Sequence, residues 1–120
     1  MELKYLTIRD RQYPACFSLR VAMDVADKFG SVEALFEQGK STKEAIEQKV
    51  WLIEQMLLAG QSLAALEGKQ TETPPAAEEL MASIGIADMG VMINSVITAS
   101  QKVTVELQPD PKNAAATQEL

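Results

Sequence analysis

A chain of 120 residues with one cysteine, no histidine and a net charge of −6 is the size of one domain that can bury a core without disulfides or metal. Its 47% hydrophobic content is that of an ordinary globular protein, and no run nears the roughly 20 apolar residues that span a bilayer. The acidic balance excludes nucleic acid as the expected partner, because affinity for a phosphate backbone comes from Lys and Arg displacing counterions.

Charge is uneven along the chain. Residues 1–29 carry five basic and four acidic side chains, residues 30–69 four and six, and residues 70–120 two and seven. Glu2, Lys4, Arg9, Asp10 and Arg11 interrupt any apolar signal segment. The lone Cys16 fits a reducing compartment, so a cytoplasmic protein is expected.

Residues 3–8 form a strand-like run, followed by the charged turn Arg9-Asp10-Arg11 and a second extended run over residues 12–17. β-branched and aromatic residues around a polar turn predict a hairpin. Pro14 makes the second run a short or edge strand. Ser18 is positioned to cap a helix over residues 19–29, with Val21, Ala22, Val25, Ala26 and Phe29 on one face. Gly30 would end it in the left-handed conformation.

Ser31 would cap a second, short helix that turns Val32, Leu35 and Phe36 inward and ends at Gly39. Ser41 or Thr42 then starts the longest helix. Its apolar stripe Ile46, Val50, Ile53, Leu57 steps as one helical face must, and Trp51, Met56 and Leu58 broaden it. Gly60 weakens that helix by about 1 kcal/mol relative to Ala. The spacing of Leu63 and Leu66 continues it, after a bend, to Gly68.

Residues 69–73 read as a polar linker, and Pro74-Pro75 suits the first turn of a further helix. That helix uses Leu80, Met81 and Ile84, carries Glu78 and Glu79 near its positive end, and stops at Gly85. Asp88 would cap a last helix bearing Met89, Ile93, Val96 and Ile97. Val103-Thr104-Val105 is expected to be a short final strand that pairs with the hairpin. The polar, Ala-rich residues 108–120 are expected to be a disordered tail. The expected fold is α+β and mainly α: a small N-terminal hairpin, four to five helices in a single domain over residues 1–107, and the tail.

Nothing in the chain assembles an active site. Without histidine there is no common general base, no common metal ligand and no Ser-His or Cys-His pair. Gly85 and Gly90 lack a nucleotide-binding spacing. Cys16 beside Phe17 reads as a buried, inert thiol. Asp24 and Asp27 share one side of a helix but have no third ligand in the pattern, so they read as a solvated face. No cofactor, metal or catalytic residue is expected, and the protein is expected not to be an enzyme.

Methionines draw more attention. Met81, Met89 and Met92 lie in the last two helices, and flexible thioethers suit surfaces that accept varied apolar partners. Ordinary core packing explains them as well. A partner-binding groove of Met81, Met89, Met92, Ile93 and Val96 is the expected interaction site.

The order of residues 3–8, the charged turn, Tyr13-Pro14-Ala15-Cys16-Phe17-Ser18, the helix ending at Gly30 and Val32-Glu33-Ala34-Leu35-Phe36 resembles the start of small tail assembly chaperones. Long-tailed phages and prophages encode these just upstream of the tape measure protein. A long Trp-containing helix, an acidic linker with Pro74-Pro75, a final helix and a polar tail extend the likeness over residues 3–112. The resemblance implies a mainly helical, non-catalytic protein that shields the elongated, helical tape measure protein until tail tube subunits polymerise around it. It implies a place in the bacterial host cytoplasm and absence from the mature virion. In that family a −1 ribosomal frameshift often yields a longer second product. Pro111-Lys112-Asn113 can be encoded with a slippery heptamer, so this chain is expected to be the shorter, unshifted product.

The alternative reading is a structural subunit of the phage tail or head–tail connector, present in the virion in fixed copy number. Partners expected on either reading are phage tail proteins, with no nucleic acid and no membrane, and a homo-oligomer is left open.

Overall fold

In the computed structural model, which describes residues 1–102, strands β1 (Lys4–Ile8) and β2 (Arg11–Ala15) form an antiparallel hairpin. Four helices follow: α1 (Leu19–Phe29), α2 (Thr42–Leu66), α3 (Ala77–Ser83) and α4 (Ile86–Ser100), with a 3₁₀ turn, Glu33–Phe36, between α1 and α2. The fold class is therefore the expected one, a small hairpin leading into a mainly helical domain. The expected strand over residues 103–105 and the expected tail over 108–120 lie outside the described residues.

The hairpin turn is tighter than the sequence suggested. Ile8 pairs with Arg11, leaving only Arg9 and Asp10 as the loop, with φ of 51° and 67°. Two consecutive left-handed residues make the mirror-image turn whose twist matches that of paired strands. On the inner face Leu6 and Ile8 of β1 and Tyr13 and Ala15 of β2 are buried, while Lys4 at the start of that face is exposed; on the other face Tyr5 and Thr7 are exposed but Pro14 is buried. Pro14 opposite Tyr5 has no N–H, so that pair cannot exchange hydrogen bonds and must be one of the open pairs of the ladder.

Local caps were legible. Ser18 Oγ accepts from Val21 N at 3.4 Å, and Gly30, at φ 91°, donates to Ala26 O. Ser31 Oγ accepts from Ala34 N at 3.1 Å and begins the 3₁₀ turn where a short α-helix was expected. Lys40 Nζ closes that turn through Ala34 O and Leu35 O, at 2.7 and 2.9 Å. Ser41 Oγ caps α2 through Glu44 N. At its other end Gly68 N–H meets Ala65 O and Lys69 N–H meets Ala64 O, with Gly68 at φ 78°, a Schellman closure.

Four expectations about the helices are corrected. Pro74 and Pro75 precede α3 rather than forming its first turn; α3 starts at Ala77, whose N–H is taken by Glu54 Oε2 of α2 at 3.1 Å. Gly85 does not end α3; it is the residue before α4, and Asp88 lies inside the first turn of α4 instead of capping it. Helix α2 runs unbroken through Gly60.

That glycine carries the main packing contact of the fold. A Cβ at Gly60 would overlap the backbone O and C of Pro14 and come within 2.5 Å of the Cα of Ala15. Only a residue without a side chain lets α2 lie this close to β2. One turn earlier, Met56 O accepts from Cys16 N at 3.1 Å. Helix α2 thus covers the outer edge of β2 and satisfies a backbone group there.

The core lies between the inner face of the hairpin and the helices. It contains Val21 and Val25 of α1, the stripe Val50, Ile53 and Leu57 with Leu52 and Met56 of α2, Leu80 of α3, and Met89, Ile93 and Val96 of α4. At its margin Phe29 meets Trp51 edge-on at 5.4 Å, and Lys28 Nζ stands 5.1 Å from the Trp51 ring. Ser100 Oγ, at the end of α4, accepts from Phe17 N at 2.7 Å and fixes the passage from β2 into α1.

Candidate functional site

Apolar side chains that the fold leaves in water mark where it could hold another molecule. Helix α2 supplies the main group. Residues 55, 58, 59, 62, 63 and 66 recur at three- and four-residue steps, which is one face of a helix. At about 100° per residue this face points roughly opposite to the buried stripe Val50, Ile53, Leu57. Leu58 is 45% exposed and Leu66 is 85% exposed, so the expectation that Leu58 broadens the buried face is corrected.

Helix α1 forms the other wall. A groove of about 280 Å³ runs between Arg20, Val21 and Asp24 on α1 and Leu58, Ala59, Ser62, Leu63 and Leu66 on α2. Arg20 and Asp24, one helical turn apart, place a charge of each sign on the rim. Beyond them Met23, 61% exposed, belongs to a shallow depression shared with Ala26 and Asp27. Leu19, the first residue of α1, is also open to solvent. The groove is smaller than most pockets for small organic ligands, which run from about 300 to 1,000 Å³. Its size and open shape suit single apolar side chains projecting from a partner helix.

Cys16 contributes to the lining of the groove. It is fully buried, and burial pushes its thiol from 9.0 up to about 11, so near neutral pH it is a protonated, weakly nucleophilic group. Asp24 and Asp27 have no metal-binding company: among the described residues no three His, Cys, Asp or Glu side chains converge. The groove offers apolar contact and, from Arg20 and Asp24, two charged side chains along its lining.

The binding groove expected from the last two helices is not an open surface. Met89, Ile93 and Val96 are 7%, 2% and 0% exposed and face the hairpin and α2 as core. Met92 is half-buried against that core. Only Met81 is open, at 46%. The i, i+4, i+7 spacing of Met89, Ile93 and Val96 made a packed stripe, and packing is how the fold uses it. Sequence reasoning missed Leu58, Leu63 and Leu66 as a site because both faces of α2 are apolar, and periodicity alone does not say which face the fold covers.

Comparisons with family models, curated proteins and solved structures return no match for this chain. Among the described residues no single helix is long and apolar enough to cross a membrane.

Proposed function

We propose that this protein is a non-catalytic tail assembly chaperone of the phage type, which holds an elongated helical client, the tape measure protein, in the groove between α1 and α2. The observation that carries this reading is the exposed apolar face of α2, Leu58 and Leu66, beside a wall of α1. An amphipathic helix recognises such a groove by inserting apolar side chains at three- and four-residue spacing. Covering Leu58 and Leu66 with a client side chain removes apolar surface from water at about 25 cal/mol per Å², or up to roughly 2 kcal/mol per leucine. That suits a holder that must bind many similar segments and release them. The net charge of −6 keeps such complexes soluble and favours clients with basic stretches.

Co-expression with the large helical protein encoded next to it tests the proposal. The native chain should raise the soluble fraction of that protein and co-purify with it. Leu58→Glu/Leu66→Glu should abolish both effects while leaving the fold intact, because both side chains already face solvent. No gain in solubility and no co-purification with the native chain would refute the reading. Presence in purified virions in fixed copy number would favour a structural subunit instead.

A further inference from the structure

The groove between α1 and α2 carries two charges that hold nothing else in the fold. Arg20 is exposed and Asp24 half-buried, and both line the groove. They lie four residues apart on α1, a spacing at which opposite charges can pair. They do not pair with each other, and among the described residues neither side chain has another ion-pair partner. The other two arginines differ in this: Arg9 meets Glu79 at 3.8 Å and Arg11 meets Glu72 at 3.3 Å. Arg20 also sits in the first turn of α1, the positive end of a helix, so folding gains nothing from a cation there.

Apolar ground lies beside the two charges. The buried Val21 falls between them on α1, and Leu58, Ala59 and Leu63 of α2 form the opposite wall. A helix laid along α1 repeats its side chains at the same three- and four-residue steps. Two of its residues four apart, about 6 Å along the axis, then fall opposite Arg20 and Asp24 while its neighbouring apolar stripe meets the α2 wall.

We propose, on the reading of this groove as the client site, that it selects a helix with one acidic and one basic side chain four residues apart beside its apolar stripe. The client carboxylate meets the Arg20 guanidinium and the client cation meets the Asp24 carboxylate. The net charge of −6 alone would favour a uniformly basic client, and Arg20 opposes that choice. Because the two rim charges differ, a client segment with a given order of acid and base fits in one direction only. The apolar wall thus supplies affinity, and the charge pair supplies specificity and orientation.

NMR titration of the full chain with three model helices tests this. The peptides are Ala-rich, blocked at both ends, share one leucine stripe and differ only at two flanking positions four residues apart: Glu/Lys, Lys/Lys or Glu/Glu. Salt of about 0.15 M screens charges more than about 8 Å apart, so the rim rather than the net charge is read. The native chain should bind Glu/Lys about threefold or more tighter than either of the others. Arg20→Glu should make Lys/Lys the tightest ligand, and Asp24→Lys should make Glu/Glu the tightest. Lys43→Glu alters net charge as Arg20→Glu does but lies twelve residues from Gln55 on α2, about 18 Å along the helix, and should keep the native order. Equal affinity for all three peptides, or an order unmoved by Arg20→Glu, would overturn the proposal; if Leu58→Glu/Leu66→Glu still abolished binding, the groove would stand as an apolar client site. If no peptide bound the native chain, or binding survived Leu58→Glu/Leu66→Glu, the groove reading and this proposal would fall together.

Discussion

Replacing Gly60 with alanine should destabilise the protein, although alanine is the better helix former. In an isolated helix the exchange would gain about 1 kcal/mol. Here the added Cβ overlaps Pro14 O and C and lies 2.5 Å from Ala15 Cα. These are backbone atoms of a paired strand, so they cannot swing aside as a side-chain tip could. Helix and hairpin must separate, which strains the fully buried Ala15, Cys16, Met56 and Leu57 at a cost of about 1–3 kcal/mol for overpacking. The same movement stretches the Cys16 N–H to Met56 O bond, worth about 1 kcal/mol. The net loss is about 2 kcal/mol, which for a domain of this size lowers Tm by about 8–10 °C. Thermal and urea unfolding followed by circular dichroism would measure it. Gly90→Ala is the control, because Gly90 lies inside α4 and a Cβ there meets nothing within 4 Å; it should hold or raise Tm. A Gly60→Ala protein as stable as the native one would refute the packing argument.

Two further outcomes follow from the same packing. The Cys16 thiol, raised by burial to about 11 from 9.0, is an acid whose folded value exceeds its unfolded one. Its contribution to stability is therefore complete below about pH 9 and lost as pH rises towards 11. The urea midpoint should fall across that window more steeply for the native chain than for Cys16→Ala, and a thiol reagent at pH 8 should label native Cys16 only as fast as the protein opens. Glu54→Ala should cost about 1 kcal/mol, because it strips the partner from Ala77 N–H at the start of α3 in the manner of a lost helix cap. Urea unfolding reads that loss, and Glu54→Gln, which keeps an acceptor oxygen, should recover most of it.

Short-range chemistry made much of the fold legible. Ser18, Gly30, Ser41 and Gly68 act through neighbours within four or five residues, so their capping roles stand in the sequence itself. The stripe Val50, Ile53, Leu57 was equally plain, because helical periodicity needs no tertiary information. Gly60 was misjudged for the opposite reason. Its significance depends on Pro14 and Ala15, more than forty residues away, and a local propensity scale sees only the weakened helix. The start of α3 depends likewise on a carboxylate from α2, which no pattern around Pro74-Pro75 could announce. The candidate site was the least legible part. Its leucines look like any others in a helix apolar on two faces, while the methionines that drew attention proved to be largely core.

The central claim is that the groove between α1 and α2 binds a helical client. Hydrogen-exchange mass spectrometry on the chain, free and in complex with the co-purified client, tests this most directly. The account predicts slowed exchange in peptides covering residues 18–24 and 55–66, with little change in α4. Protection confined to α3 and α4, with none in α1 or the second half of α2, would contradict it.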